Sequence, residues 1–140
     1  MKKLISSRIH HYYWDEDLCC TLTALKILAE LYPPAPHPQI LDAAFGLNAG
    51  RCGSQCGLVE GTLLFLGTYS KENGWSPEDT RQLCRDFCQD FQARLGSLIC
   101  TELRPQGFSP DNPPHLCEKL SCQALTLAHN FIARNFPSQS

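Results

Sequence analysis

The spacing of apolar side chains constrains the fold of this chain more than any other feature. Leucines recur at helical intervals from Leu18 to Leu31, and the segment from Leu83 to Leu95 carries an apolar residue at every fourth position. This spacing places the apolar side chains on one face of an α-helix, whereas a half-buried strand would need strict alternation. Signals for strands are weak throughout, so the sequence predicts an all-α fold.

Helix boundaries are indicated by prolines, glycines, acids and hydroxyl side chains. Three acids at 15–17 suit a first helical turn, and Pro33-Pro34 would stop that helix. Ser76-Pro77 suits the start of a helix that ends at Gly96. We expect a single-domain bundle of five or six helices over 15–140, preceded by an arm over 1–14. The other expected segments are helices at 38–47, 54–73, 97–104 and 115–136, and loops at 48–53 and 105–114.

The chain has nine cysteines in 140 residues, which is far above ordinary usage. A small secreted protein would use them in disulfides. This chain is long enough to bury a core without such cross-links, the count is odd, and Ser6 and Ser7 interrupt the apolar N-terminal segment before it forms an export signal. We therefore expect a cytoplasmic protein whose cysteines serve metal binding or thiol redox chemistry, with about half of them simply buried in the core.

Several classes of function are disfavoured by composition. The formal net charge is -2, and no cluster of basic residues exists beyond Lys2-Lys3, so we expect no nucleic-acid surface. No apolar run approaches the roughly 20 residues that a membrane span needs. There is no nucleophile–base set for hydrolysis and no phosphate-binding glycine loop, so no catalytic residue is assigned and an enzymatic role stays open.

The junction between the central loop and its helix carries the most suggestive cysteines. Cys52 and Cys56 flank this junction, and a helix N-terminus favours the thiolate that binds metal or attacks disulfides. Gly53 and Gly57 keep bulk away from the sulfurs. Gly57 and Gly61, four residues apart, also form a smooth strip that another helix can approach, either within the chain or in a homodimer.

The strongest candidates come from four separate segments, all near helix starts or short loops: Cys20, Cys56, Cys100 and Cys117. A site assembled from separate helices of a bundle is physically reasonable. By contrast, Cys84 and Cys88 interleave with core residues, and Cys122 lies deeper in the last helix. No local zinc, haem or ferredoxin signature is present. His115 is an alternative ligand because it lies close to Cys117.

The segment 56–61, Cys-Gly-Leu-Val-Glu-Gly, resembles the Cys-Gly-Ala-x-x-Gly signature of a redox-active protein family named for its C…GCAxxG…C…C pattern. Cys20 precedes small and apolar residues as the first cysteine of that family does. Cys100 follows a Phe-x-x-x-Phe and Gly-Ser pattern, and Cys117 precedes a Lys-Leu step and an apolar helix. Leu58 departs from the family's alanine, and the extra cysteines Cys19 and Cys52 obscure which sulfurs act.

The resemblance implies redox chemistry through four cysteines. A similar module in split-Soret cytochromes is associated with an iron–sulfur centre, so the expected cofactor is a [2Fe–2S] or [4Fe–4S] cluster for electron transfer or redox sensing. Its expected ligands are Cys20, Cys56, Cys100 and Cys117. Cys52 and Cys19 are expected to be redox-active residues or alternative ligands. The glycines expected beside the site are Gly53, Gly57 and Gly61.

Three alternatives stay open. The first is a cofactor-free thiol–disulfide oxidoreductase that uses Cys52 and Cys56. The second is a structural zinc site that braces the bundle, and the third is a helical interaction protein whose cysteines belong to the core. An unidentified redox partner protein is expected for the iron–sulfur and the thiol–disulfide interpretations. The aromatic residues of the N-terminal arm, or the Gly57/Gly61 strip, would allow a homodimer.

Overall fold

A computed structural model describes residues 1–47, 52–104, 106–107 and 109–137, and within them the chain is all-α, as predicted. Seven α-helices have defined bounds, slightly more than expected: α1 (Lys2–His10), α2 (Cys20–Leu31), α3 (Pro38–Ala44), α4 (Gly57–Glu72), α5 (Pro77–Leu95), α6 (Cys100–Leu103) and α7 (Glu118–Asn135). A π-helical turn, His11–Asp15, follows α1, and a 3-10 turn, Pro114–Cys117, precedes α7. The predicted loop positions 48–51, 105 and 108 lie outside the described residues.

The N-terminal segment is part of the bundle. Residues assigned to an arm form α1, which packs against α7 and buries Ile5 and Ile9 completely. The predicted helix start at residues 15–17 is wrong, because Asp17 has a φ of 51° and α2 begins only at Cys20. This left-handed residue turns the chain between the first two helices.

The boundaries of α5 follow the sequence signals. The Ser76 side chain accepts a hydrogen bond from the Asp79 backbone N–H, and Gly96 ends the helix with a φ of 97°. Leu83, Phe87 and Phe91 are buried on the inner face, where the rings of α5 meet those of α7. Among the described helices, none combines the length and apolar character that a bilayer-spanning segment needs.

The glycine strip of α4 is used inside the chain, where it packs against α2. A Cβ on Gly57 would lie 2.8 Å from Thr21 Oγ1 and 2.9 Å from Cys20 Cβ. A Cβ on Gly61 would overlap the Thr21 carbonyl oxygen and lie 2.8 Å from Ala24 Cβ. These contacts leave no room for side chains, so the strip is occupied by α2 and is not a free surface for a second copy. They also bring the starts of α2 and α4 together.

The packing of α4 can be tested with two alanine substitutions on the same helix. We expect Gly61→Ala to lower the free energy of unfolding by about 1–3 kcal/mol, because the new methyl group collides with α2 backbone. Gly67→Ala should be neutral or stabilising by up to about 1 kcal/mol, because a Cβ there meets nothing within 4 Å. Urea unfolding of both variants measures the difference, and equal effects would contradict the packing described.

Candidate functional site

Four cysteines occupy equivalent positions at the starts of four helices. Cys20 and Cys100 are the first residues of α2 and α6, and Cys56 and Cys117 immediately precede α4 and α7. All four line a single cavity of about 120 Å³. The structure therefore brings together the four cysteines that the sequence selected, although they are far apart in the chain.

A short antiparallel bridge between Gln55 and Ile99 holds two of these cysteines side by side. The Cys56 backbone N–H donates to the Leu98 carbonyl at 2.7 Å, and the Cys100 N–H donates to the Ser54 carbonyl at 2.7 Å. Both cysteines are thus fixed through their own backbone amides. The bridge therefore holds two segments that are distant in the sequence next to each other.

A buried tyrosine connects the other two cysteines. The Tyr13 hydroxyl donates to Cys20 Sγ at 3.4 Å and lies 2.6 Å from Ser121 Oγ. Ser121 in turn donates to the Cys117 carbonyl at 2.8 Å. Tyr13 follows α1, so the N-terminal segment helps to hold the site together.

The remaining candidates are placed unequally. Cys19 lines the same cavity, whereas Cys52 is exposed and lies outside its lining. Leu58, the departure from the family's alanine, lines the cavity and is 1 % exposed. Gly57 lines it too, while Gly61 lies one turn deeper against α2. Two further predicted residues lie elsewhere: Gly53, in the turn before α4 with a φ of 73°, and His115, whose ring stacks on Trp14 at a centroid distance of 4.0 Å.

The thiols of the cavity differ in pKa, and therefore in how readily they ionise. Interaction with the Cys20 thiol lowers the pKa of Cys117 to about 7, and the Arg104 cation also favours its thiolate. The same interaction, together with burial, holds the pKa of Cys20 well above its ordinary value. Burial raises the pKa of Cys56 to about 12, because it outweighs the backbone amides of α4 that favour the thiolate. Cys117 is therefore the readily ionised thiol, and burial overrides the helix-start effect expected at Cys56.

Arg104 is a residue of the cavity that the sequence analysis missed. It follows the last residue of α6, lines the cavity and is 8 % exposed. Its Nε and Nη1 atoms are buried and have no hydrogen-bond partner among the described residues. The available sequence signal was its spacing of four from Cys100, which places both residues on one face of a single helical turn.

The donor chemistry of the cavity is that of a thiolate-bound metal group, because the four candidate ligands are cysteines. No three His, Cys, Asp or Glu side chains in the described part of the chain are arranged to hold one ion. All four thiolates of a structural zinc site must lie about 2.3 Å from the same atom, whereas those of a cluster bind different irons and lie farther apart. The four cavity thiols supply the ligand type that both kinds of site use.

Comparison with known proteins gives one finding. A family model described as "Putative redox-active protein (C_GCAxxG_C_C)" matches residues 18–131, which include all the cysteines of the cavity. No curated protein and no solved structure matches the chain.

The different pKa values of Cys117 and Cys56 predict that their reactivities depend differently on pH. In the reduced, metal-free chain, iodoacetamide should alkylate Cys117 with a pH midpoint of about 7, because only the thiolate reacts. Cys56 should stay unreactive between about pH 6 and 9, where its thiol keeps its proton. Peptide mapping by mass spectrometry gives both rates. A Cys117 midpoint at the ordinary thiol value of about 8.5 would contradict this assignment.

Proposed function

We propose that this chain, which belongs to the C_GCAxxG_C_C family of redox-active proteins, binds an iron–sulfur cluster and transfers or senses electrons. The observation that supports this function is the convergence of Cys20, Cys56, Cys100 and Cys117 on one cavity. A bound cluster would supply one-electron chemistry at a potential tuned by its protein surroundings. The four thiols would act as its ligands.

The residues around the cavity suit that role. Backbone amides of Leu58 and Val59, in the first turn of α4, point to the Cys56 sulfur and favour its charged form. Gly57 adds no side chain and so lets Cys56 approach Cys20. Leu58, Leu103 and Leu120 supply apolar walls, which limit the access of water to the sulfurs.

The partner and the location belong to the same proposal. An electron-transfer function requires a redox partner protein. A cytoplasmic location would keep the cysteines reduced and available as ligands. A homodimer stays a prediction, for which Trp14, 53 % exposed beside the last helix, is the remaining candidate contact.

A second function is favoured by one observation, the interaction between the Cys20 and Cys117 thiols. In a cofactor-free dithiol protein, the Cys117 thiolate would attack a partner disulfide and Cys20 would resolve the mixed disulfide. The pair would form one S–S bond, and the partner disulfide would be reduced to two thiols. This pair suits the reaction better than Cys52 and Cys56, because Cys56 keeps its proton over the whole neutral range.

Cluster binding can be tested by anaerobic reconstitution with iron and sulfide. We expect the wild-type chain to gain visible absorbance and to retain iron and sulfide in equal amounts after desalting. Serine at Cys20, Cys56, Cys100 or Cys117 should reduce iron retention several-fold, because each variant removes one thiolate ligand. Cys84→Ser is the matched control, because Cys84 is a half-buried cysteine of α5 outside the cavity.

The two functions give different outcomes. If the wild-type chain stays colourless and free of iron after reconstitution, the cluster function is wrong. Mild oxidation should then yield a Cys20–Cys117 disulfide that peptide mapping detects. Loss of iron from Cys84→Ser to the same extent as from the four cavity variants would also contradict the proposed ligand set.

A further inference from the structure

The buried guanidinium of Arg104 is not explained by the fold around it. Its Nε and Nη1 groups are removed from water and lack a hydrogen-bond acceptor among the described residues. Leaving donors of a cation unsatisfied in the interior is costly. Arg104 takes part in none of the ion pairs between described residues. It interacts with the Cys100 thiol, and two of its donors stay unsatisfied among the described residues. The structure thus places a buried positive charge with unsatisfied donors beside the sulfurs of the cavity.

The surroundings of Arg104 indicate what those donors face. Arg104 lines the cavity and is the one cation among its described lining residues. Its electrostatic neighbours are the thiols of Cys100, Cys117 and Cys20. The lining includes one carboxylate, that of the exposed residue Asp17. Positive charge and reactive sulfur therefore meet in one small space.

The chemistry of this pairing selects a ligand class. A guanidinium is planar and presents several N–H donors, which makes it the preferred partner of carboxylates and small oxyanions. A cavity of about 120 Å³ admits a small group and excludes a nucleotide or a folded peptide. The ligand must therefore be small, or must insert a small anionic group.

We propose that Arg104 forms an anion subsite, which holds the carboxylate or oxyanion group of a small thiol-reactive molecule beside Cys100 and Cys117. The subsite is a property of the cluster-free chain, in which Cys100 and Cys117 are not engaged as ligands. It gives the cavity a preference for anionic molecules over neutral molecules of the same size. This preference is the measurable consequence.

Iodoacetate and iodoacetamide provide a matched pair of probes, because they have nearly the same size and differ in charge. In both reactions the thiolate displaces iodide, so one C–I bond breaks and one C–S bond forms. The full-length reduced chain is treated with each reagent at one pH, and peptide mapping gives the rate at every cysteine. We expect the ratio of the iodoacetate rate to the iodoacetamide rate at Cys100 and Cys117 to exceed that at Cys84 by roughly tenfold. Cys84 is the internal reference because it lies outside the cavity and outside the basic groove that contains Cys122.

Variants separate an anion subsite from a structural role. Arg104→Gln should abolish the preference for iodoacetate, and Arg104→Lys should retain part of it because the positive charge remains. Arg94→Gln is the control, because Arg94 is an exposed arginine that pairs with Asp90. A purely structural role would change the rates of both reagents together and leave their ratio unaltered. Acetate, an inert carboxylate, should slow the reaction with iodoacetate in the wild-type chain.

The proposal is overturned if the rate ratio at the cavity cysteines equals that at Cys84 in the wild-type chain. It is also overturned if Arg104→Gln folds and keeps the preference. If Arg104→Gln does not fold, the wild-type ratio and its competition by acetate decide the question. Because no metal enters the experiment, its failure is distinguishable from failure of the cluster function.

Discussion

The site depends on the close approach of α4 to α2. Gly57 and Gly61 allow backbone and small side chains of the two helices to touch, with Thr21 and Ala24 as the opposing residues. Because this contact lies at the first turns of both helices, it places Cys20 directly beside the residue that follows Cys56. A larger side chain at Gly57 would push α4 away from α2, and so separate Cys56 from Cys20. The glycines of the Cys-Gly-x-x-x-Gly segment thus serve the packing and the site together.

A second constraint is electrostatic. Four thiols in one buried cavity cannot all lose their protons easily, because each negative charge raises the pKa of its neighbours and burial adds to that effect. Arg104 offsets this repulsion from within the cavity, and Cys117 is the thiol that benefits. Binding of positively charged iron would remove the remaining penalty, since metal ligation replaces the thiol protons. The same cation accounts for the cavity's proposed preference for anionic reagents.

Local sequence signals predicted the local structure well. Ser76 and Gly96 mark the ends of α5, as their capping chemistry predicts. The start of α2 at Cys20 was less accurately predicted, because the acids at 15–17 indicated an earlier start. Non-local features were not predictable in the same way. The burial of Ile5 and Ile9 depends on α7, far along the chain, and the raised pKa of Cys56 depends on how completely other segments cover it. Arg104 was overlooked because a single arginine after a short helix resembles any surface cation until its burial is known.

The most direct measurement is the iron K-edge X-ray absorption spectrum of the anaerobically reconstituted chain. The account predicts an iron coordination shell made entirely of sulfur, with iron–iron scattering from a multi-iron cluster. It predicts the loss of part of this shell when one of the cavity cysteines is replaced by serine. Iron surrounded by nitrogen and oxygen, without a neighbouring iron, would show that the metal is held elsewhere on the chain. That result would contradict the assignment of the four-cysteine cavity as a cluster site.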